Sequence, residues 1–251
     1  MTPALRPACT RDAARVGIRP AARAGGRDRQ PRAPVATVNA LFDLDGTLTD
    51  PGEGFVNCVT HALSSLGCMK YPASEIRTHV GPPLEETLRK LLDGDEARVQ
   101  AAVALYRERY GSRGYLENAV YPGIEGTLEE LRHRGIALFV ATSKPSLFAE
   151  RILEHFRLTR FFQGIYGSEF DGTHSNKARL IAHVLRTESL APASTSMIGD
   201  RAHDVVAAAS NGVRPIGVLW GYGSREELSR AGATVLCEDP SQVTEALSSS
   251  P

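Results

Sequence analysis

The chain has 251 residues, 42% hydrophobic and 23% charged, ordinary for a globular protein and long enough for one large domain or two small ones. Formal net charge is zero, but residues 1–36 hold eight Arg and two Asp, so a segment of +6 precedes a body of −6. A mildly acidic body argues against nucleic acid as partner, and no apolar run reaches the roughly 18 residues needed to span a bilayer.

In chain order, residues 1–36 are rich in Arg, Ala, Pro and Gly with no apolar period, and are expected to be disordered. A transit peptide shares the Arg-rich, acid-poor character, but this segment nearly lacks Ser and has no amphipathic face. Val38 to Phe42 then reads as an apolar strand. It runs into Asp43-Leu44-Asp45-Gly46-Thr47, two carboxylates spaced i, i+2 before a turn. In extended backbone, residues two apart point to the same side, so Asp43 and Asp45 can address one small site. One carboxylate can attack while the other shuttles a proton.

After Asp50 the pattern becomes helical. Phe55, Val59, Ala62, Leu63 and Leu66 share one face, stopped by Gly67. Leu84, Leu88, Leu91 and Leu92 form a second amphipathic helix opened by Gly81-Pro82-Pro83. A third spans about 96–109, with Val99, Val103 and Tyr106 or Tyr110 inward. Residues 52–119 therefore read as a small all-helical unit inserted between core segments 37–51 and 120–248, with Gly52, Gly54 and Gly123 as hinge candidates. From Tyr121-Pro122-Gly123 onward, helix and strand alternate. Helices are expected at 127–134, 145–156, 177–185 and 204–211, and strands at 136–141, 161–166, 196–198 and 215–219. Such alternation indicates an α/β fold, a Rossmann-like three-layer parallel sheet whose active site lies at the carboxyl ends of the strands.

The strand ends carry a matched set of groups. Thr142-Ser143-Lys144-Pro145 offers a hydroxyl and free backbone N–H groups ahead of a helix, a phosphate clamp in which Ser143 and Lys144 join Gly46 and Thr47 as substrate-binding candidates. Lys177 opens a helix, where a cation is disfavoured unless something nearby justifies it. The chain holds only four Lys (Lys70, Lys90, Lys144 and Lys177), and two of them stand in candidate strand-end loops. Gly199-Asp200-Arg201-Ala202-His203-Asp204 supplies further carboxylates. Asp200 could complete a hard-cation site with Asp43, while Asp204 could hold a metal-bound water or cap its helix. His203 reads as a surface histidine. Cys9, Cys58, Cys68 and Cys237 are scattered without a C-x-x-C pair and read as reduced thiols of a cytoplasmic protein.

These residues together resemble the haloacid dehalogenase superfamily over 38 to about 245, and within it the phosphoglycolate phosphatase-like branch with a helical cap after the first strand. Gly81-Pro82-Pro83-Leu84 and Gly221-Tyr222-Gly223 also look like that branch, whereas Ser143 stands where many of its members have Asn. The resemblance implies Asp43 as nucleophile, Asp45 as general acid and base, and Thr142 and Lys177 as phosphoryl-binding catalytic residues. It implies Mg2+ held by Asp43, the Asp45 carbonyl and Asp200, with Asp204 behind them. The implied substrate is a small phosphorylated metabolite: phosphoglycolate by default, then a sugar phosphate or 5′-nucleotide. The protein is expected as a monomer or homodimer, with neither nucleic acid nor membrane as partner. A β-phosphoglucomutase-type transferase shares every core residue, and a non-catalytic regulatory protein on the same fold is the remaining alternative.

Overall fold

The computed structural model describes residues 38–81 and 84–248. The expectations for residues 1–36, Cys9, Pro82 and Pro83 fall outside that range.

The sheet starts with β1 (Asn39–Phe42) and continues through β4 (Ala137–Pro145), β5 (Gly164–Ser168), β6 (Thr195–Gly199), β7 (Arg214–Val218) and β8 (Val235–Cys237). The strand order is β5-β4-β1-β6-β7-β8 and every pairing is parallel, so β1 lies inside the sheet. Alternate residues of β1 enter different cores. Ala40 and Phe42 pack with α5 (Ile124–His133), α6 (Ser146–His155) and α10 (Ser241–Ser248) through Leu128, Leu131, Ile152, Leu153, Val243 and Leu247. Leu41 packs with α7 (Lys177–Thr187) and α8 (Ala202–Ser210) through Leu180, Ile181, Val184 and Ala208. Strands apolar on both faces are covered on both faces, giving three layers.

Register decides what meets at the strand ends. Phe42 is opposite Val140 on one side and Ile198 on the other, so Asp43, Ala141-Thr142 and Gly199-Asp200 emerge side by side. The Asp43 N–H still donates to the Ile198 carbonyl at 2.9 Å, which fixes its backbone to the sheet.

Between the first two core segments stand α1 (Gly52–Ser65), α2 (Ala73–Arg77), α3 (Leu84–Leu91) and α4 (Glu96–Ser112). They enclose their own apolar cluster, built on Val59, Leu63, Ile76, Leu88, Val99 and Val103. The chain leaves the core through β2 (Thr49–Asp50) and returns through β3 (Ala119–Val120), and these pair antiparallel. At the hinge candidate Gly54, a Cβ would stand 2.2 Å from the Gly114 carbonyl oxygen, and the Gly54 N–H donates to the Glu117 carbonyl at 2.8 Å. That glycine is needed for close approach of the two linkers.

Several boundaries differ from the sequence reading. The strand expected at 161–166 begins at Gly164, because Phe161 belongs to a turn and plugs the core under the sheet. The helix expected from Asp204 begins at Ala202. The short helices α2 and α9 (Arg225–Ala231), the last helix α10 and the three-residue β8 carried no periodic signal strong enough to read.

Candidate active site

Asp43 leaves β1 into the middle of the site, with only 5% of its surface exposed. Its Oδ1 accepts from the Leu44 N–H at 2.8 Å and faces Lys177 Nζ at 2.9 Å. Lys177 is equally buried. Its ammonium donates to the Ala141 carbonyl at 3.0 Å and lies 2.8 Å from Asp204 Oδ1. Two carboxylates and a carbonyl thus resolve the apparent misfit of a cation on the first residue of α7. Burial opposes the charge on Lys177, but Asp204 and Asp43 raise its pKa above the ordinary lysine value. Burial would likewise push the Asp43 carboxyl up, yet the Lys177 and His203 charges together with hydrogen bonds from Lys177 and Thr142 outweigh it and hold the group below the usual carboxylate range.

Asp45 has a different environment. Its Oδ2 meets Lys144 Nζ at 2.5 Å, and that ammonium stands 5.1 Å from the ring centroid of Tyr110, which comes from α4. Burial raises the Asp45 pKa, and the Lys144 charge offsets this only in part. Its other oxygen, Oδ1, is buried with no hydrogen-bond partner among the described residues.

Asp200 and Asp204 follow β6. Asp200 Oδ2 accepts from the Tyr222 N–H at 2.8 Å, and its Oδ1 faces the Thr47 hydroxyl at 3.5 Å. Gly46, at φ +82°, makes this packing feasible: a Cβ there would fall 2.2 Å from Asp200 Oδ2. Burial, then the Asp204 and Asp43 charges, push the Asp200 carboxyl up to about 8. Asp204 is the third residue of α8, not its N-cap, and accepts from the Arg201 N–H through Oδ2 at 3.2 Å. One ligand atom each from Asp43, His203 and Asp204 lies within 4.8 Å of the others, so His203, read from sequence as a bystander, stands at the cluster. Two buried carboxylates, Asp43 and Asp204, share one ammonium, and the nearby Asp200 adds negative charge that no cation compensates. Carboxylate donors with such charge fit a hard divalent cation, with the His203 imidazole beside them.

The remaining candidates divide. Thr142 is 2% exposed, and its hydroxyl accepts from the Lys144 N–H at 3.3 Å while supporting the Asp43 carboxylate. Ser143 is exposed, and its carbonyl accepts from the Ser168 hydroxyl at 2.8 Å. Thr47 is fully buried, directed at Asp200, and its carbonyl accepts from the Trp220 indole at 2.9 Å. The Gly46 N–H is taken by the Thr49 carbonyl at 2.8 Å. Both Gly46 and Thr47 therefore shape the loop under Asp200, with their polar groups committed inward.

Sequence reading missed the residues that close the site from the insert side. Asp50 pairs with Arg77 Nη2 at 2.6 Å and accepts from the Tyr222 hydroxyl. Arg201 donates to the Val80 carbonyl at 3.3 Å while pairing with Glu227 at 2.9 Å. Tyr110 had been read only as one choice for an inward-facing position.

The model of haloacid dehalogenase-like hydrolases matches residues 40–218. The chain belongs to this family. It is similar to a 5′-nucleotidase of Pseudomonas aeruginosa, 46% identical over 211 residues that cover 84% of this chain and 96% of that one. It is also similar to the tyrosine-protein kinase PtkA of Mycobacterium tuberculosis, 41% identical over 78% of this chain and 67% of that one. Among solved structures, a phosphatase from Clostridium difficile superposes with a TM-score of 0.79 at 39% identity, covering 84% of this chain and 98% of that chain. This family member is a phosphoric monoester hydrolase, and among the described residues no helix is long and apolar enough to cross a membrane.

Proposed function

We propose that the protein is a magnesium-dependent phosphatase of 5′-nucleotides that works through an aspartyl-phosphate on Asp43, with the helical insert acting as its cap. The observation that carries this reading is the contrast between two carboxylates on one strand end. Asp43 is held ionised by a buried lysine 2.9 Å away, and Asp45, half-buried with a raised pKa, is held by a different lysine at 2.5 Å. Neighbouring acids whose environments push them apart divide the labour of nucleophile and proton donor.

Asp43 Oδ attacks phosphorus in line with the ester oxygen, and Lys177 and Thr142 neutralise and orient the phosphoryl oxygens. Asp45 gives its proton to the departing alkoxide, becomes the base that deprotonates water, and that water cleaves the acyl-phosphate to restore Asp43. Asp43, the Asp45 carbonyl and Asp200 would hold Mg2+, with Asp204 supporting them. The bound ion supplies charge neutralisation that lets a carboxylate approach a phosphate dianion. Similarity to the Pseudomonas 5′-nucleotidase moves the substrate choice from phosphoglycolate to a nucleoside monophosphate.

A rapid acid quench during turnover of a 5′-nucleotide with Mg2+ is expected to leave one phosphoryl group on the peptide bearing Asp43. Asp43→Asn should lose hydrolysis by more than about 10^4-fold. A phosphorylated peptide elsewhere, or full activity in that variant, ends this reading. Phosphoryl transfer to a second hydroxyl, favoured by the similarity to the mycobacterial kinase, is the alternative outcome and is seen as product without inorganic phosphate.

A further inference from the structure

Phe170 lies in the loop between β5 and α7 with 62% of its surface exposed, the highest value for a large apolar side chain among the described residues. It is not isolated. Its ring meets Phe148 of α6 edge to face at 5.8 Å, and Phe148 meets Tyr110 of α4 edge to face at 5.0 Å. Tyr110 in turn lies beneath Lys144, the partner of Asp45. An aromatic path therefore runs from the proton donor of the reaction to a ring in open solvent, and the cap supplies its innermost ring, Tyr110.

Two polar groups at the inner end of this path are unsatisfied. The Tyr110 hydroxyl faces the Lys144 ammonium, which has protons to give and none to accept. The phenol proton is left without an acceptor, and Asp45 Oδ1, on the other partner of Lys144, is buried with no donor, among the described residues. Buried polar atoms without partners are costly and call for a ligand that completes them.

We propose that this path is the leaving-group subsite and that it takes a nucleoside. Tyr110 donates to an oxygen of the sugar near the ester, and Phe170, backed by Phe148, receives the base. The inference rests on the 5′-nucleotide reading above and deepens it. Phosphoglycolate has a small charged leaving group that gains nothing from an exposed aromatic face. A planar base gains stacking area there, and stacking of this kind tolerates both purines and pyrimidines.

The test compares kcat/KM for UMP, AMP, phosphotyrosine and 2-phosphoglycolate in the wild-type protein, Phe170→Ala and Tyr110→Phe. Calorimetric binding of uridine and adenosine to the same three proteins without metal is measured alongside. The wild-type protein should prefer both nucleotides. Phe170→Ala should lower the nucleotide-to-phosphoglycolate selectivity about tenfold, mainly through KM, and abolish nucleoside binding. Tyr110→Phe should lower that selectivity in the same direction. Unchanged selectivity and unchanged nucleoside binding in Phe170→Ala overturn the subsite while leaving the nucleotide reading intact. A wild-type protein that turns over phosphoglycolate but neither nucleotide overturns the nucleotide reading itself. A preference for phosphotyrosine over both nucleotides overturns the assignment of the ring as a nucleobase.

Discussion

The core cluster and the seam beneath the insert hold charges in opposite ways. In the core, Asp43, Lys177 and Asp204 are at most 8% exposed in their side chains and are fixed by β1 and by α7 and α8, which pack together on one face of the sheet. In the seam, Lys144–Tyr110, Asp50–Arg77 and Arg201–Val80 join groups of the core segments to groups of the insert through long side chains, and Arg77 is 47% exposed. The first arrangement is preorganised, with its electrostatics undiluted by solvent. The second could be remade if the insert moves, as the proposed role of the insert as a cap requires. In the proposed mechanism, bond chemistry belongs to the rigid cluster and selection to the adjustable seam.

That division can be broken by substitutions of graded effect. Lys177→Met should be the most damaging. It leaves Asp43 and Asp204 buried without their cation, at a cost of about 3–5 kcal/mol. It should also lower kcat/KM about 10^2- to 10^3-fold through lost phosphoryl neutralisation. Thermal denaturation and steady-state kinetics read both, and a variant of native stability would deny the core its preorganised character.

Asp200→Asn comes next and has a defined pH signature. The Asp200 carboxyl is pushed up to about 8 by burial and then by Asp204 and Asp43, against an ordinary value of 3.8. Between those values the unfolded chain has released this proton and the folded protein has kept it. Metal-free protein should therefore lose stability as pH rises through that window. Asp200→Asn should flatten the slope, raise the metal-free Tm at pH 8 relative to the native chain and weaken Mg2+ binding. A Tm that climbs from pH 5 to pH 8 in the metal-free native protein would contradict this assignment.

Seam substitutions should be milder. Lys144→Met frees the Asp45 carboxylate from its tether and should lower kcat about tenfold, with a smaller change in Tm than Lys177→Met causes. Arg77→Ala removes a half-exposed ion pair of about 0.2–1 kcal/mol and should alter KM more than Tm. If Arg77→Ala proved as harmful as Lys177→Met, seam and core would have to be treated as one rigid unit.

Legibility followed the same boundary. Asp43 and Asp45 could be read because strand periodicity, a local property, puts both on one side. Lys177 could be singled out because a cation at a helix start is locally wrong. The Lys144–Asp45 pair joins residues 99 apart, and no local pattern predicts which carboxylate an ammonium will find. Tyr110 had the periodicity of a core residue, which it also is, so its contact with Lys144 was hidden behind an apolar signal. Thr47 and Gly46 seemed ready to bind phosphate but turn inward, because the loop must bring Gly46 against the Asp200 carboxylate.

By itself the sequence determined the alternation of strands and helices, the run of helices after the first strand and the residue types at each strand end. Those are short-range consequences of side-chain spacing, and neighbours along the chain suffice to set them. Only the tertiary structure decided which lysine serves which aspartate, how Asp200, Asp204 and Asp43 are pressed together, and that an aromatic path leads outward from Asp45. These depend on strand register and on how the insert lies over the core, where the partners are distant in sequence and burial, not proximity along the chain, sets the energies.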